Sequence, residues 1–546
     1  ALLDYLAAFA DLYGRVGKIY VYASILAAVD SNDQEAAAMS SQAMSLYSRL
    51  AAVSAFANPE ILGIGHETLK AWMVQEPGLA IYAHYFDDLF RQQEHVRSAE
   101  VEEVLGMLTD PFTSVSRTAR VLVNADLQFR PATGQNGRTV SVEQGNIMLH
   151  MLDRDRDLRR SAAESYRDGY LSVKNTLASN LATAIKQDVF LARVRRHSSS
   201  LEASLFANNI PTRVFYSLID TFRKNLPVWH RYWRIRRRAL GVDVLHPYDI
   251  WVPLTQDKLH IPFEQAVDWI CEGLRPMGED YVRVVRRGCL EERWVDRYPN
   301  QGKRQGAFSG GWKGTLPFIV MSYNHSLNSL STLAHELGHS MHSYLAWGTQ
   351  PMIYSDYSLF VAEVASNFHQ TLVRAYLLES NPDPNFQIAV IEEAMYNFHR
   401  YFFQMPTLAL FELEMHERAE RGEGLTADMM INRMADLFSE GYGGEVDVDW
   451  DRVGITWAEF GHLYSAFYVY QYATGISAAH ALAQGILDGR PGSVENYLNF
   501  LRAGSSLYPL DALKLAGVDM TTPEAVERTF AVMETYVDRL ETLIER

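Results

Sequence analysis

The stretch "STLAHELGHSMHSYLAWG" (331–348) gathers His335, Glu336, His339 and His342 within little more than two helical turns. On an α-helix, residues four apart differ in direction by only about 40°, so His335 and His339 project from one face and can reach a single metal ion. Glu336 sits beside that pair, where a carboxylate can take a proton from a water held by the metal. Neutral imidazoles suit zinc, and a catalytic zinc needs three protein ligands with a fourth position left open. Two histidines are one ligand short.

The third ligand is expected on another segment. In "FVAEVASN" (360–367) Glu363 is flanked by Val361, Ala362, Val364 and Ala365, all small and apolar, which marks a buried helix face. A buried carboxylate requires a charged partner or a metal. The loop "WGTQPMIYSDYS" (347–358) is long enough for a second helix to return beside the first. His335, His339 and Glu363 are therefore the expected metal set. His342 is expected to play a supporting role, because a fourth protein ligand would close the site. Ser366 and Asn367, just past Glu363, are placed to orient ligands by hydrogen bonding.

These motifs need a scaffold, and the rest of the chain suggests one. Its 546 residues exceed the roughly 250–300 that one core can serve, so more than one lobe is expected. With 48% hydrophobic and 21% charged residues the composition is that of an ordered globular protein. Residues 1–240 are dominated by helix-period patterns such as 161–196 and 212–226, with turn signals at 132–137 and 208–212. Between 242 and 330, "VDVLHPYDIWVPL" and "PFIVMSYNHS" have extended character, and a small sheet is expected there. Helical patterns return from 326 onward, with Pro406 expected to kink or end the helix that begins near Phe386.

Several classes are disfavoured. The formal charge of −16 would repel a phosphate backbone, so nucleic acid is not an expected partner. The arginines of "RYWRIRRRALG" (231–241) and "RVRRH" (193–197) recur at helical spacing and read as solvated helix faces. Cys271 and Cys289 are the only cysteines, too few for a disulfide framework, which favours a reducing, cytoplasmic setting. No run of about 18 apolar residues exists, so no membrane span is expected. The first residues read as an amphipathic helix; since the chain begins at Ala1 rather than Met, a preceding segment is left open.

"TLAHELGHSMHSYL" followed by "YSDYSLFVAEVASN" resembles the thimet-oligopeptidase family of zinc metallopeptidases, and in particular its oligoendopeptidase F branch. "RQGAFSGGWKGTLPFIVMSYN" (304–324) and "FGHLYSAFYVYQYATGISAAHAL" (460–482) extend the resemblance. It implies a mainly α fold: two helical lobes around a deep substrate channel, with a small β-sheet beside an HExxH zinc helix. Residues 1–150 are assigned to an N-terminal helical region and 151–546 to the catalytic region.

The implied chemistry is hydrolysis of internal bonds in short peptides. One zinc ion on His335, His339 and Glu363 would lower the pKa of a water to about 7, and Glu336 would act as general base. The tetrahedral oxyanion needs further donors. The resemblance assigns these to His462 and to tyrosines of "FGHLYSAFYVYQY"; Tyr464, Tyr468 and Tyr472 recur every four residues, the spacing of a helix stripe lining a cleft. "GTLPFIVMSYN" is expected to offer an edge strand to an extended peptide. Carboxydipeptidase or carboxypeptidase action, or a non-catalytic helical peptide-binding protein, are the alternatives. Oligomeric state is not readable.

Overall fold

The computed structural model describes residues 1–255 and 259–545. They fold mainly as α-helices, with one three-stranded sheet and one two-stranded ribbon among the described residues. The chain forms two compact units. The first comprises Ala1–Glu94, Lys258–Pro382 and Gly475–Met520; the second comprises His95–Asp257, Asp383–Thr474 and Thr521–Arg546. Residue 150, the division drawn from sequence, lies within the second unit. No described helix is long and apolar enough to cross a membrane.

The first unit holds the HExxH segment on the helix Leu327–Thr349. Ser326 starts it as an N-cap, its Oγ accepting the Ser329 N–H at 3.1 Å and satisfying a donor the first turn cannot use. A short 3₁₀ turn, Met352–Tyr354, reverses the chain. The helix Leu359–Ser380 follows, most of it buried, including Val364, Ala365 and Phe368 at 0% exposure. That burial is why its sequence shows little amphipathic contrast: it is packed on most sides.

Beside the HExxH helix lies the small sheet. Its central strand is Phe318–Val320, parallel to Val295–Asp296 on one side and antiparallel to Phe308–Gly310 on the other, with Ser309 opposite Ile319. Two sequence expectations change here. "PFIVMSYN" supplies the central strand and not the edge, because Ile319 and Val320 are apolar enough to be wholly buried; the edge strand on the antiparallel side is Phe308–Gly310. The stretch 242–254 forms no ladder. Pro247 opens a 3₁₀ turn, Pro247–Asp249, and Leu245 makes only an isolated bridge to Val446.

In the second unit, Pro406 does not break the helix expected around it. The helix Pro384–His399 runs into a π-helical segment, Arg400–Gln404, and continues as Met405–Glu420. The wider turn lets the Met405 N–H reach the Arg400 carbonyl, accommodating a proline that has no N–H and whose ring crowds the preceding turn. The arginines of the helix Leu226–Leu240 do not form one solvated face: Arg234 and Arg238 are exposed, Arg231 pairs with Asp538 and Glu541, and Arg236 is only 2% exposed and pairs with Glu392 at 3.0 Å. A buried guanidinium needs such a partner.

Candidate metal centre and its surroundings

Glu363 Oε2 lies 3.3 Å from His335 Nε2 and 3.9 Å from His339 Nε2. One ligand atom from each of these three residues falls within 4.8 Å of the others. Ligands about 2.0–2.1 Å from a tetrahedral zinc stand about 3.3–3.5 Å apart, so the donors are close to the span one ion requires. Two imidazoles and a carboxylate also match a catalytic zinc set. The residues fit the metal.

Each ligand is held from behind. His335 Nδ1 donates to Gln370 Oε1 at 3.0 Å, which directs Nε2 toward Glu363; Gln370 Nε2 in turn donates to Ser331 Oγ at 2.7 Å. His339 hydrogen-bonds to the Ala362 backbone. Ser366 Oγ donates to Glu363 Oε2 at 3.0 Å. Asn367 binds the Glu363 backbone carbonyl at 2.8 Å and not its carboxylate, so of the two expected orienting residues Ser366 touches the ligand atom itself.

Burial alone would press the His335 imidazolium down in pKa, but the hydrogen bond and charge of Glu363 outweigh it and hold the ring at about 9. Burial would likewise raise Glu363, yet the His335 hydrogen bond keeps it near 2. His339, with burial dominant, falls to about 4. A single proton thus belongs to the His335–Glu363 pair, the place a cation would take.

Glu336 is 5% exposed, and burial raises its carboxyl to about 7 against the opposing charge of His335. The edge strand reaches it: the Ser309 backbone hydrogen-bonds to its carboxylate, while Ser309 Oγ meets Ser340 Oγ at 2.8 Å. Next to this strand opens a cavity of about 840 Å³ in the same unit, lined by aromatics including Tyr13, Tyr47, Trp312 and Tyr357 and by Ser309 and Ala362. Its wall therefore touches the backbone contacts of both Glu336 and His339.

His342 stands away from the ligand atoms. It stacks on Tyr357 with ring centres 3.6 Å apart, and burial lowers its pKa to about 3. Tyr357 Oη reaches Ser343 Oγ at 2.9 Å and the His339 carbonyl at 3.4 Å, so the stack braces the loop leading to Glu363.

His462, Tyr464, Tyr468 and Tyr472 belong to the second unit. They do not form one helix stripe. Gly461–Tyr464 is a 3₁₀ turn, Phe467 takes a left-handed backbone with φ +52°, and the α-helix starts at Tyr470. The turn nonetheless brings three of the four together. His462 lies parallel to Tyr468 and edge-on to Tyr472, each at 5.9 Å, and the two tyrosine hydroxyls meet at 3.0 Å. Tyr472 also stacks on Tyr401 at 5.1 Å. Tyr464 is drawn aside, its hydroxyl accepting from Asn180 Nδ2 at 3.1 Å.

Residues that sequence reading missed are of two kinds. Gln370 and Ser309 act across gaps in sequence that carry no local signal. Gly338 and Gly475 do carry one: each is a helix-interior glycine, costly unless something must approach closely. A β-carbon on Gly475 would stand 2.9 Å from that of Glu363.

Comparison with known proteins places the chain in a family. The family model "Peptidase family M3" matches residues 149–532, and "Oligopeptidase F" matches 60–129. Oligopeptidase PepF of Bacillus subtilis is 37% identical over 532 residues, covering 97% of this chain and 79% of that protein. Group B oligopeptidase PepB of Streptococcus agalactiae is 34% identical, covering 100% of this chain and 90% of its own. The crystal structure of oligoendopeptidase-F from Enterococcus faecium superposes with a TM-score of 0.78 at 33% identity, covering 100% of this chain and 93% of that one. With the HExxH helix, the returning glutamate and these matches in hand, the chain belongs to peptidase family M3, on its oligoendopeptidase F branch, and is a metallopeptidase.

Proposed function

We propose that this metallo-oligopeptidase works with one zinc ion on His335, His339 and Glu363 and hydrolyses internal bonds of short peptides, with Glu336 as general base. The observation that carries the reading is the convergence of those three ligand atoms within 4.8 Å beside a carboxylate that none of them uses. Bound zinc would supply Lewis acidity, lowering the pKa of a water to about 7 and polarising the scissile carbonyl. Glu336 takes the proton of the attacking water and delivers it to the departing amine. The Ser309 backbone and the low exposure of Glu336 keep that carboxylate in one place and shielded from bulk water. His462, Tyr468 and Tyr472 are assigned as donors to the tetrahedral oxyanion, with Tyr464 holding the turn through Asn180. The two free, buried cysteines Cys271 and Cys289 support a cytoplasmic setting.

The test is a Glu336→Gln variant assayed beside its metal content, on a peptide blocked at its C-terminus. The expected result is unchanged zinc per chain with turnover lower by at least about 100-fold. Full activity in a zinc-loaded variant would refute the mechanism, and failure of the wild-type enzyme to cut the blocked peptide internally would refute endopeptidase action.

A further inference from the structure

The second unit contains a buried carboxylate to which the reaction assigns no role. Glu412, on the helix Met405–Glu420, is 2% exposed. Its Oε1 accepts the backbone N–H of Phe467 at 2.7 Å, and its Oε2 has no hydrogen-bond partner among the described residues. Phe467 is the residue with φ +52° in the turn between His462 and Tyr468. A phenylalanine held there is strained, and such strain persists only where the surroundings over-determine it.

The surroundings do so. The Phe467 side chain is 0% exposed, packed edge-on to Phe215 at 5.8 Å and against the His416 ring at 4.7 Å. His416 is itself fixed one turn after Glu412, Nδ1 to the Glu412 carbonyl at 2.8 Å and Nε2 to Asp188 at 3.2 Å. On the N-terminal side of Phe467 the turn is tied again. Ser204 Oγ donates to the Ala466 carbonyl at 2.8 Å, and Asn180 holds the Tyr464 hydroxyl. Within the turn, the Tyr468 N–H binds the Ser465 carbonyl at 3.1 Å and the Ser465 N–H binds that of His462 at 2.9 Å. Rotation of the Phe467 peptide would thus swing Tyr468 away from the His462 ring it parallels. Among the described residues, Glu412 is the acceptor for the N–H that this rotation would release.

We propose that Glu412 is a positioning residue: by clamping the Phe467 amide it holds the left-handed turn that sets His462 against Tyr468 and Tyr472 for the reaction. The inference rests on the role proposed above for that cluster, and the effect reaches the substrate only through it. The requirement is for a buried acceptor at one place, not for a charge. A glutamine keeps that acceptor in its amide oxygen; a leucine removes it, and an aspartate withdraws it by one methylene.

The test uses the full-length, zinc-loaded enzyme and the variants Glu412→Gln, Glu412→Asp and Glu412→Leu. Two readouts are taken: hydrogen exchange of a peptide spanning 462–470, and kcat and KM on one oligopeptide. Glu412→Leu is expected to raise exchange in that segment by about tenfold and to lower kcat by about 10- to 100-fold, with KM and zinc content unchanged. Glu412→Asp should fall between, and Glu412→Gln should restore both readouts. Wild-type exchange in Glu412→Leu, or a Glu412→Gln variant as impaired as Glu412→Leu, overturns the clamp. Should Glu412→Leu fail to fold, the aspartate and glutamine variants decide by the same criteria. Loosened exchange with unchanged kcat overturns the positioning role. A Tyr468→Phe variant with wild-type kcat instead overturns the reading of the cluster, since exchange is measured without turnover.

Discussion

Gly338 lies directly against the carbonyl of Ala365: a β-carbon on it would stand 2.3 Å from that oxygen and 2.6 Å from the Ser366 α-carbon. The helix carrying the two histidines and the helix carrying Glu363 therefore meet backbone to backbone, one residue before His339 and two after Glu363. Gly338→Ala must push these backbones apart, because no flexible side chain is there to yield. A displacement of about 1 Å at catalytic groups costs about 100-fold in turnover. The expected result is a folded, helical protein that loses zinc to a chelator far more readily than wild type and shows that loss of kcat. Metal content after dialysis, read beside far-ultraviolet circular dichroism, checks it.

Gln370 fixes the tautomer of His335 by accepting from Nδ1, and Ser331 fixes Gln370. Replacement by alanine leaves the ring free to rotate or to exchange its proton between nitrogens. Outer partners of this kind are worth about 10- to 100-fold in metal affinity. Gln370→Ala should weaken zinc binding by that factor in a competition titration, with kcat of the zinc-saturated enzyme reduced much less. Unchanged zinc affinity would show that the ring is held by packing alone.

The clustering of His335, His339 and Glu363 beside the buried Glu336 was readable because its signal is local. Two histidines four apart need only a helix, and Glu363 announced its burial through Val361, Val364 and Ala365, which are 3%, 0% and 0% exposed. The tyrosines misled for a physical reason: spacing by four is a helix signature only if every residue between is helical, and Phe467 is not. What forces Phe467 into its conformation is Glu412, a partner more than fifty residues away. Likewise Asp249 turns the β-branched stretch around it away from a sheet, being wholly buried and clasped by Arg156 and Arg159 at 2.8 and 2.7 Å. Local propensity yields to such contacts.

Trp312 spreads over Gly17 so closely that a β-carbon there would be 1.9 Å from its ring. Trp312 also packs edge-to-face with Tyr47 at 6.4 Å and against Tyr13 at 5.1 Å, shaping one wall of the aromatic cavity. Gly17→Ala forces the indole to move while leaving the metal ligands untouched. Overpacking of this sort costs about 1–3 kcal/mol of stability. If the cavity contributes to peptide binding, KM rises severalfold with kcat and zinc content unchanged; equal kinetics in a variant with the expected stability loss would separate the cavity from the substrate path.

The Glu412 carboxyl leads to a pH-dependent stability whose sign is fixed. Burial lifts it to about 8, with the Asp188 charge adding and the His416 charge and Phe467 N–H opposing. An unfolded glutamate titrates near about 4.3, so the folded chain holds this proton more tightly. The resulting stability is fully present below the unfolded value and is lost as pH rises through about 8. Glutamine carries no titrating proton and is indifferent to that rise. Glu412→Gln should therefore match wild type most closely at about pH 5 and become progressively the more stable protein toward about pH 8.5, by at most ~1.4 kcal/mol per pH unit. The His416 charge opposes the effect of burial on Glu412, and the His416 pKa is itself raised against burial by Asp188 and by Glu412. Thermal midpoints of the two proteins across that range measure the difference, and a constant offset would mean that Glu412 is ionised throughout and that His416 carries the balancing proton.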